Sequence, residues 1–252
     1  MLRTFFTAVM FLTRVPVCHL ADHDPVFLAR STAFWPFIGA LLGLAAGGVF
    51  VLLSFFDFPP LFCAIAALAT TAILTGCFHE DAFSDVCDGF GGYTPQKRLE
   101  IMRDSRVGSF GVWGSLFLAG AMAALLAEFS PKIAIGALVL AHALGRWSSV
   151  LLVWRMDYVN DGASLAKPFA ANVSGGVFCV STLFCAAFSA LIFAFLLPKT
   201  AIFAAPLLVI FFSLGAARWF RGWLGGLSGD ALGATNLACQ LLVLALVFQL
   251  FR

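Results

Sequence analysis

Six of the thirteen acidic residues in this 252-residue chain fall between residues 79 and 111: Glu80, Asp81, Asp85, Asp88, Glu100 and Asp104. Four of its fifteen cations, Lys97, Arg98, Arg103 and Arg106, lie among them. Asp81, Asp85 and Asp88 are spaced i, i+4, i+7. At about 100° per residue, a helix carries three such carboxylates within an arc of about 60°. Like charges at that spacing repel, and a divalent cation is the economical compensation. Carboxylate oxygens are what Mg²⁺ takes, alongside waters and substrate phosphates. Arg103 and Arg106 bracket Asp104 and Ser105, and guanidinium forks suit phosphate oxygens. The pattern points to Mg²⁺-and-phosphate chemistry, with Asp81, Asp85 and Asp88 as metal ligands.

The neighbouring residues fill out such a site. His79 falls on the far side of the same helix, where it can orient a group as readily as ligate a metal. Glu80 lies about 100° round from Asp81 and can join the site through an intervening ligand. Gly89, Gly91 and Gly92 stop the helix and let backbone approach a substrate. Gly108 and Gly111 leave N–H groups accessible where the next helix begins. Asp104 reads either as a fourth ligand or as the group that orients an arginine, while Lys97 and Arg98 also suit lipid head groups. A later glycine-rich loop, Gly225 to Gly229, places Asp230 at the start of the last apolar run, where Asn236 and Gln240 share a helix face. Polar residues inside a membrane helix face the bundle, as functional groups or as interhelical hydrogen bonds. Arg14 either reaches a phosphate or snorkels. Asp157, Asn160, Asp161, Lys167 and Asn172 form a polar loop open to substrate. His142 and Arg146, at i, i+4, read as helix packing.

What must hold these residues is membrane-embedded. The chain is 62% apolar and 11% charged, with a mean hydropathy of +0.99, and apolar runs long enough to span a bilayer recur along it. The expected fold is all-α: one integral membrane domain over residues 1–252. About seven spans are expected near 33–56, 60–78, 110–128, 133–154, 175–197, 201–217 and 233–251. A short N-terminal amphipathic or re-entrant helix precedes them and closes at Arg14-Val15-Pro16. The active-site segment is about 79–111, with contributions from 10–16, 155–174 and 218–240. No cleavable signal peptide is evident at the N-terminus, and the seven cysteines contain no C-x-x-C pair. They read as small core residues. Net charge is only +2, which argues against an extended nucleic-acid surface. Twelve of the fifteen Lys and Arg fall on the N-terminal side of this layout. The positive-inside rule makes that side cytoplasmic, so the polar motifs face the cytoplasm and the C-terminus lies outside.

The motifs resemble those of the cobalamin synthases, the adenosylcobinamide-GDP ribazoletransferases. The likeness lies in His79-Glu80-Asp81-Ala82-Phe83-Ser84-Asp85-Val86-Cys87-Asp88-Gly89 and in Arg98-Leu99-Glu100-Ile101-Met102-Arg103-Asp104-Ser105-Arg106, continued to Gly108 and Gly111. Leu12 to Pro16 and Gly229 to Ala234 also resemble family signatures. Two places depart from the pattern: Ala82-Phe83-Ser84 stands where Gly-Leu-Ala is usual, and Gln240 where a glutamate is expected. The resemblance implies a bacterial inner-membrane enzyme that joins adenosylcobinamide-GDP to α-ribazole, or its 5′-phosphate, with Mg²⁺ required and GMP released. In that chemistry Asp81, Asp85 and Asp88 hold the metal, Arg103 and Arg106 spread transition-state charge, and Asp104 or Glu80 takes the hydroxyl proton. Arg14, His79, Gly89, Ser105, Gly108, Asp230 and Asn236 line the substrates. A homo-oligomer, or a complex with other enzymes of cobamide assembly, stays open. The nearest rivals are a CDP-alcohol phosphatidyltransferase and an aromatic prenyltransferase, whose aspartate signatures are not reproduced. A transporter fits less well, because the charges cluster on one side and the span interiors are nearly free of them.

Overall fold

The computed structural model describes residues 1–159, 173–195 and 201–251. Among these described residues there are eleven α-helices: α1 Leu2–Leu12, α2 Pro25–Ser31, α3 Trp35–Phe55, α4 Pro60–Thr75, α5 Phe78–Asp88, α6 Pro95–Met102, α7 Ser109–Ala127, α8 Pro131–Arg155, α9 Gly175–Phe195, α10 Ala201–Leu224 and α11 Gly229–Phe251. Among the described residues no strand forms, and one isolated parallel bridge joins Tyr158 to Leu227. Asn160, Asp161, Lys167 and Asn172 lie outside the described residues.

Among the described residues six helices are long and apolar enough to cross a membrane, or seven if the bent pair α4–α5 counts as one span. The all-α polytopic expectation therefore holds, with one correction. The run expected to span 60–78 ends at Thr75, and α5 leaves at 95° to α4. Gly76 and Cys77 both take left-handed backbone, at φ 68° and 59°. Two such residues in succession cannot continue a right-handed helix. Only the first is a glycine, which is why the break is hard to see in an apolar run. A second difference is α10, which runs on to Leu224 past Arg218 and Arg221. Trp219, Phe220 and Trp223 keep an apolar face there, while the arginines reach outward.

Helix α8 is the axis of the bundle. Of its most apolar stretch 94% is buried, against 22% for α7 and 28% each for α9 and α10, which face outward. It packs closely on α3 because Gly39, Gly43 and Gly47 form a stripe at i, i+4, i+8. A Cβ on Gly39, Gly43 or Gly47 would run into His142, the Leu138–Val139 backbone or Ile135 respectively. Without a hydrophobic drive between helices in lipid, such backbone approach supplies dispersion contact. The N-terminal segment docks at the α4–α5 break: the Arg14 N–H donates to the Leu74 carbonyl at 2.7 Å, and the Arg14 side chain lies over Gly76.

Candidate active site

Helix α5 carries the acids, and its three neighbours send them to three different places. Towards α1, α6, α8 and α11 opens a cavity of about 510 Å³. Its wall is mainly apolar (Phe11, Leu12, Trp35, Met102, Leu232), and into it face His79, Asp81, Arg103, Tyr158 and Asp230. Asp230 is close enough to Asp81 and Arg103 to feel both charges, and Asp85 feels Asp230, Asp81 and Asp88. Three carboxylates from two helices and one guanidinium thus share a single electrostatic site, with Asp81 exposed to solvent and Asp85 and Asp230 half-buried.

Asp88 does something else. Its Oδ2 accepts the Gly108 N–H at 2.7 Å and its Oδ1 the Gly111 N–H at 2.8 Å. The carboxylate therefore caps the N-terminus of α7, where orphan amides and the helix dipole favour an anion. Gly108 and Gly111 are glycines for steric reasons, since a Cβ on either would meet the Asp88 carboxylate. The Gly108 N–H, expected to meet a ligand, is donated to Asp88.

The expected three-ligand cluster is not assembled. Among the described residues no group of three His, Cys, Asp or Glu could hold a metal ion. Sharing a helix face is not sharing a place: seven residues separate Asp81 from Asp88, about 10 Å along the axis. Mg²⁺ binds oxygen at about 2.1 Å. Asp81 and Asp85 lie one turn apart on α5, and Asp230 is near enough for its charge to act on Asp85 and for that of Asp81 to act on it.

The remaining expected residues disperse. Glu80 lies on the opposite side of α5, on the wall of a second cavity of about 770 Å³ that also holds Gln240 and is lined by apolar residues of α4, α7 and α11. Asp104 and Arg106 are exposed and bound to each other, Arg106 Nη2 to Asp104 Oδ2 at 2.6 Å and Arg106 Nε to Asp104 Oδ1 at 3.0 Å. Hydrogen bonds from Arg106 hold the Asp104 carboxyl down to about 2. Neither lines the cavity, and nor do Arg14 or Ser105. Gly89 is buried, and a Cβ there would meet Trp223 and Met102, so its smallness serves packing. Asn236 is fully buried and its Oδ1 accepts from Gln240 Nε2 at 2.7 Å.

Sequence reasoning missed Tyr158, Ser149 and Trp35 on the cavity wall. The Tyr158 segment is held there by two backbone bonds, Val159 N–H to Leu227 O at 2.9 Å and Leu227 N–H to Asp157 O at 3.1 Å. These bind the end of α8 to the glycine-rich loop before Asp230. One of only two tyrosines in the chain, directly after an acid of a polar loop, was the available signal.

Residues 4–248 match the cobalamin-5-phosphate synthase family. The chain is similar to proteins named adenosylcobinamide-GDP ribazoletransferase. That of Polaromonas naphthalenivorans is 36% identical over 95% of each chain. That of Leptothrix cholodnii is 37% identical over 95% of this chain and 92% of its own. That of Shewanella amazonensis is 35% identical over 99% and 96%. No solved structure matches the chain. With the match running nearly end to end, and the acid-bearing helix and its cavity inside it, the chain belongs to the cobalamin-5-phosphate synthase family.

Proposed function

We propose that this protein is a membrane transferase that joins adenosylcobinamide-GDP to α-ribazole, or its 5′-phosphate, and releases GMP. Family membership supports the reaction. The single observation that carries the site is the cavity in which Asp81, Asp230 and Arg103 face one another. An oxygen of the α-ribazole hydroxyl attacks the phosphorus that stays with cobinamide, the bond from that phosphorus to the GMP oxygen breaks, and the hydroxyl proton leaves to a carboxylate. Asp230 is the carboxylate we assign to that proton. Asp104 has both oxygens occupied by Arg106, and Glu80 lies behind α5. Arg103 presents its fork to the diphosphate, and the apolar wall excludes bulk water.

Asp81 and Asp85 would hold Mg²⁺, an ion that commonly takes one or two protein carboxylates and completes its shell with waters and phosphates. Bound there, it would supply charge neutralisation at the diphosphate and at the departing GMP. The distribution of Lys and Arg supports a cytoplasmic N-terminus and active site in a bacterial inner membrane. With the α4–α5 pair counted as one span, the C-terminus is outside.

The test is GMP and cobamide formation by the purified protein in liposomes, with adenosylcobinamide-GDP, α-ribazole and Mg²⁺. Product that stops with EDTA, and falls on the order of 100-fold in Asp81→Asn, is the expected result. No product from folded protein overturns the transferase reading. Full activity in Asp81→Asn moves the site away from this cavity.

A further inference from the structure

Beside His79, where α3, α5 and α8 pack, lies a buried polar cluster that the proposed reaction does not use. Arg146 on α8 is 1% exposed and stands nine residues before the end of its helix, about 13 Å inward at 1.5 Å per residue. Its Nη1 donates to His142 Nδ1 at 3.0 Å and to the His142 carbonyl at 3.4 Å. A guanidinium has donors only, so Nδ1 offers its lone pair and the ring proton sits on Nε2. Two glycines clear the space. A Cβ on Gly39 would meet the His142 carbonyl and Arg146 Cδ, and a Cβ on Gly145 would meet Asn236 and Gln240.

A cation so buried needs a counter-charge. Helices α3 and α8 contain no acid, and the only one on α11 is Asp230, which faces the cavity. Glu80 on α5 remains. Its Oε2 is buried without a hydrogen-bond partner, as is Arg146 Nε. Glu80 is also the acid whose charge acts on Arg146, and Arg146 in turn acts on His79 in the cavity wall.

We propose that Arg146 is a positioning residue for the active-site helix: as the buried counter-charge of Glu80, it fixes the roll of α5 about its axis. Glu80 and Asp81 are adjacent, about 100° apart round the helix. Holding Glu80 at Arg146, on the face of α5 that borders the second cavity, therefore turns Asp81 into the first. A looser α5 would present Asp81 and Asp85 to ligand at the wrong angle, and small misplacements of that kind are costly in rate.

The activity part of this inference rests on the proposed transferase reading, and the stability part does not. Wild type, Arg146→Met, Glu80→Gln, the double variant and Arg146→Lys are purified in detergent. Thermal midpoints are measured without Mg²⁺, and kcat, KM and the half-saturating Mg²⁺ concentration with substrates. The expected result is a midpoint that falls in Arg146→Met and rises again when Glu80→Gln is added, because the second change removes the unpaired charge. The half-saturating Mg²⁺ concentration rises roughly tenfold in Arg146→Met and stays raised in the double variant, while Arg146→Lys recovers most of it. Midpoint effects that simply add overturn the counter-charge. Coupled midpoints with unchanged Mg²⁺ dependence and KM overturn the positioning role and leave a purely structural pair. If Arg146→Met does not fold, Arg146→Lys and Glu80→Gln, singly and together, give the same comparison. If the wild type makes no product, the transferase reading fails, and the midpoints still decide the pairing.

Discussion

Replacing Asp88 by asparagine separates two roles for one carboxylate. The asparagine keeps the shape but not the charge, and it aims an NH₂ at one of the two amides that now donate to Asp88 at 2.7 and 2.8 Å. A hydrogen bond to a charged group contributes about 1.5–3 kcal/mol. The anion also sits, buried, at a helix N-terminus, which adds about 1 kcal/mol. Losing one bond outright and the charge from the other amounts to about 3 kcal/mol. For a chain of this size, that is a fall in thermal midpoint of about 6–12 °C. The assay is thermal unfolding in detergent with EDTA present, so that no metal contributes. A capping carboxylate gives the full shift under those conditions. The capping argument is refuted if the midpoint barely moves in EDTA while Mg²⁺-dependent activity disappears, for then Asp88 serves the metal and not the start of α7.

Two further substitutions probe the packing that shapes the site. In Gly233→Ala the new Cβ meets the Cβ of Ala82 on α5, an overpacking expected to cost about 1–3 kcal/mol. Ala82→Gly in the same protein should restore most of the thermal midpoint, and additive effects would contradict the contact. Arg98→Ala removes hydrogen bonds of 2.9 Å to the Gly92 and Trp223 carbonyls and a guanidinium 5.1 Å above the Trp223 ring. A loss of about 2–3 kcal/mol is expected, and Arg98→Lys should recover less than half of it, because an ammonium cannot serve both carbonyls at once. Thermal midpoints check both.

The apolar runs were legible because lipid leaves a helix few alternatives, and six of the expected spans stand as single helices. The acids of α5 were legible as a functional cluster for a related reason: charge at the end of a membrane helix demands an explanation. Their division was not. Periodicity gives an angle round the helix axis, and it put Asp81 and Asp88 on one face. It says nothing about which neighbour each residue meets, and Asp88 meets the start of α7, twenty residues on. Glu80 was placed correctly as about 100° from Asp81, but only the packing of α8 and α11 reveals that this direction leads to Arg146 and not to substrate. Asp230 was marked by the glycine-rich loop before the last apolar run, whereas the place of Tyr158 depended on long-range closure through its bridge to Leu227.

The cavity draws on residues from Phe11 to Gly233, nearly the whole order of synthesis. No fragment that stops before α11 contains the whole cavity wall. While the first helices insert, the acids of α5 have neither Asp230 opposite them nor α11 across Ala82. Helix α11 is the one that completes the cavity. A chain that stops before residue 229 lacks Asp230, Leu232 and Gly233 from the cavity wall.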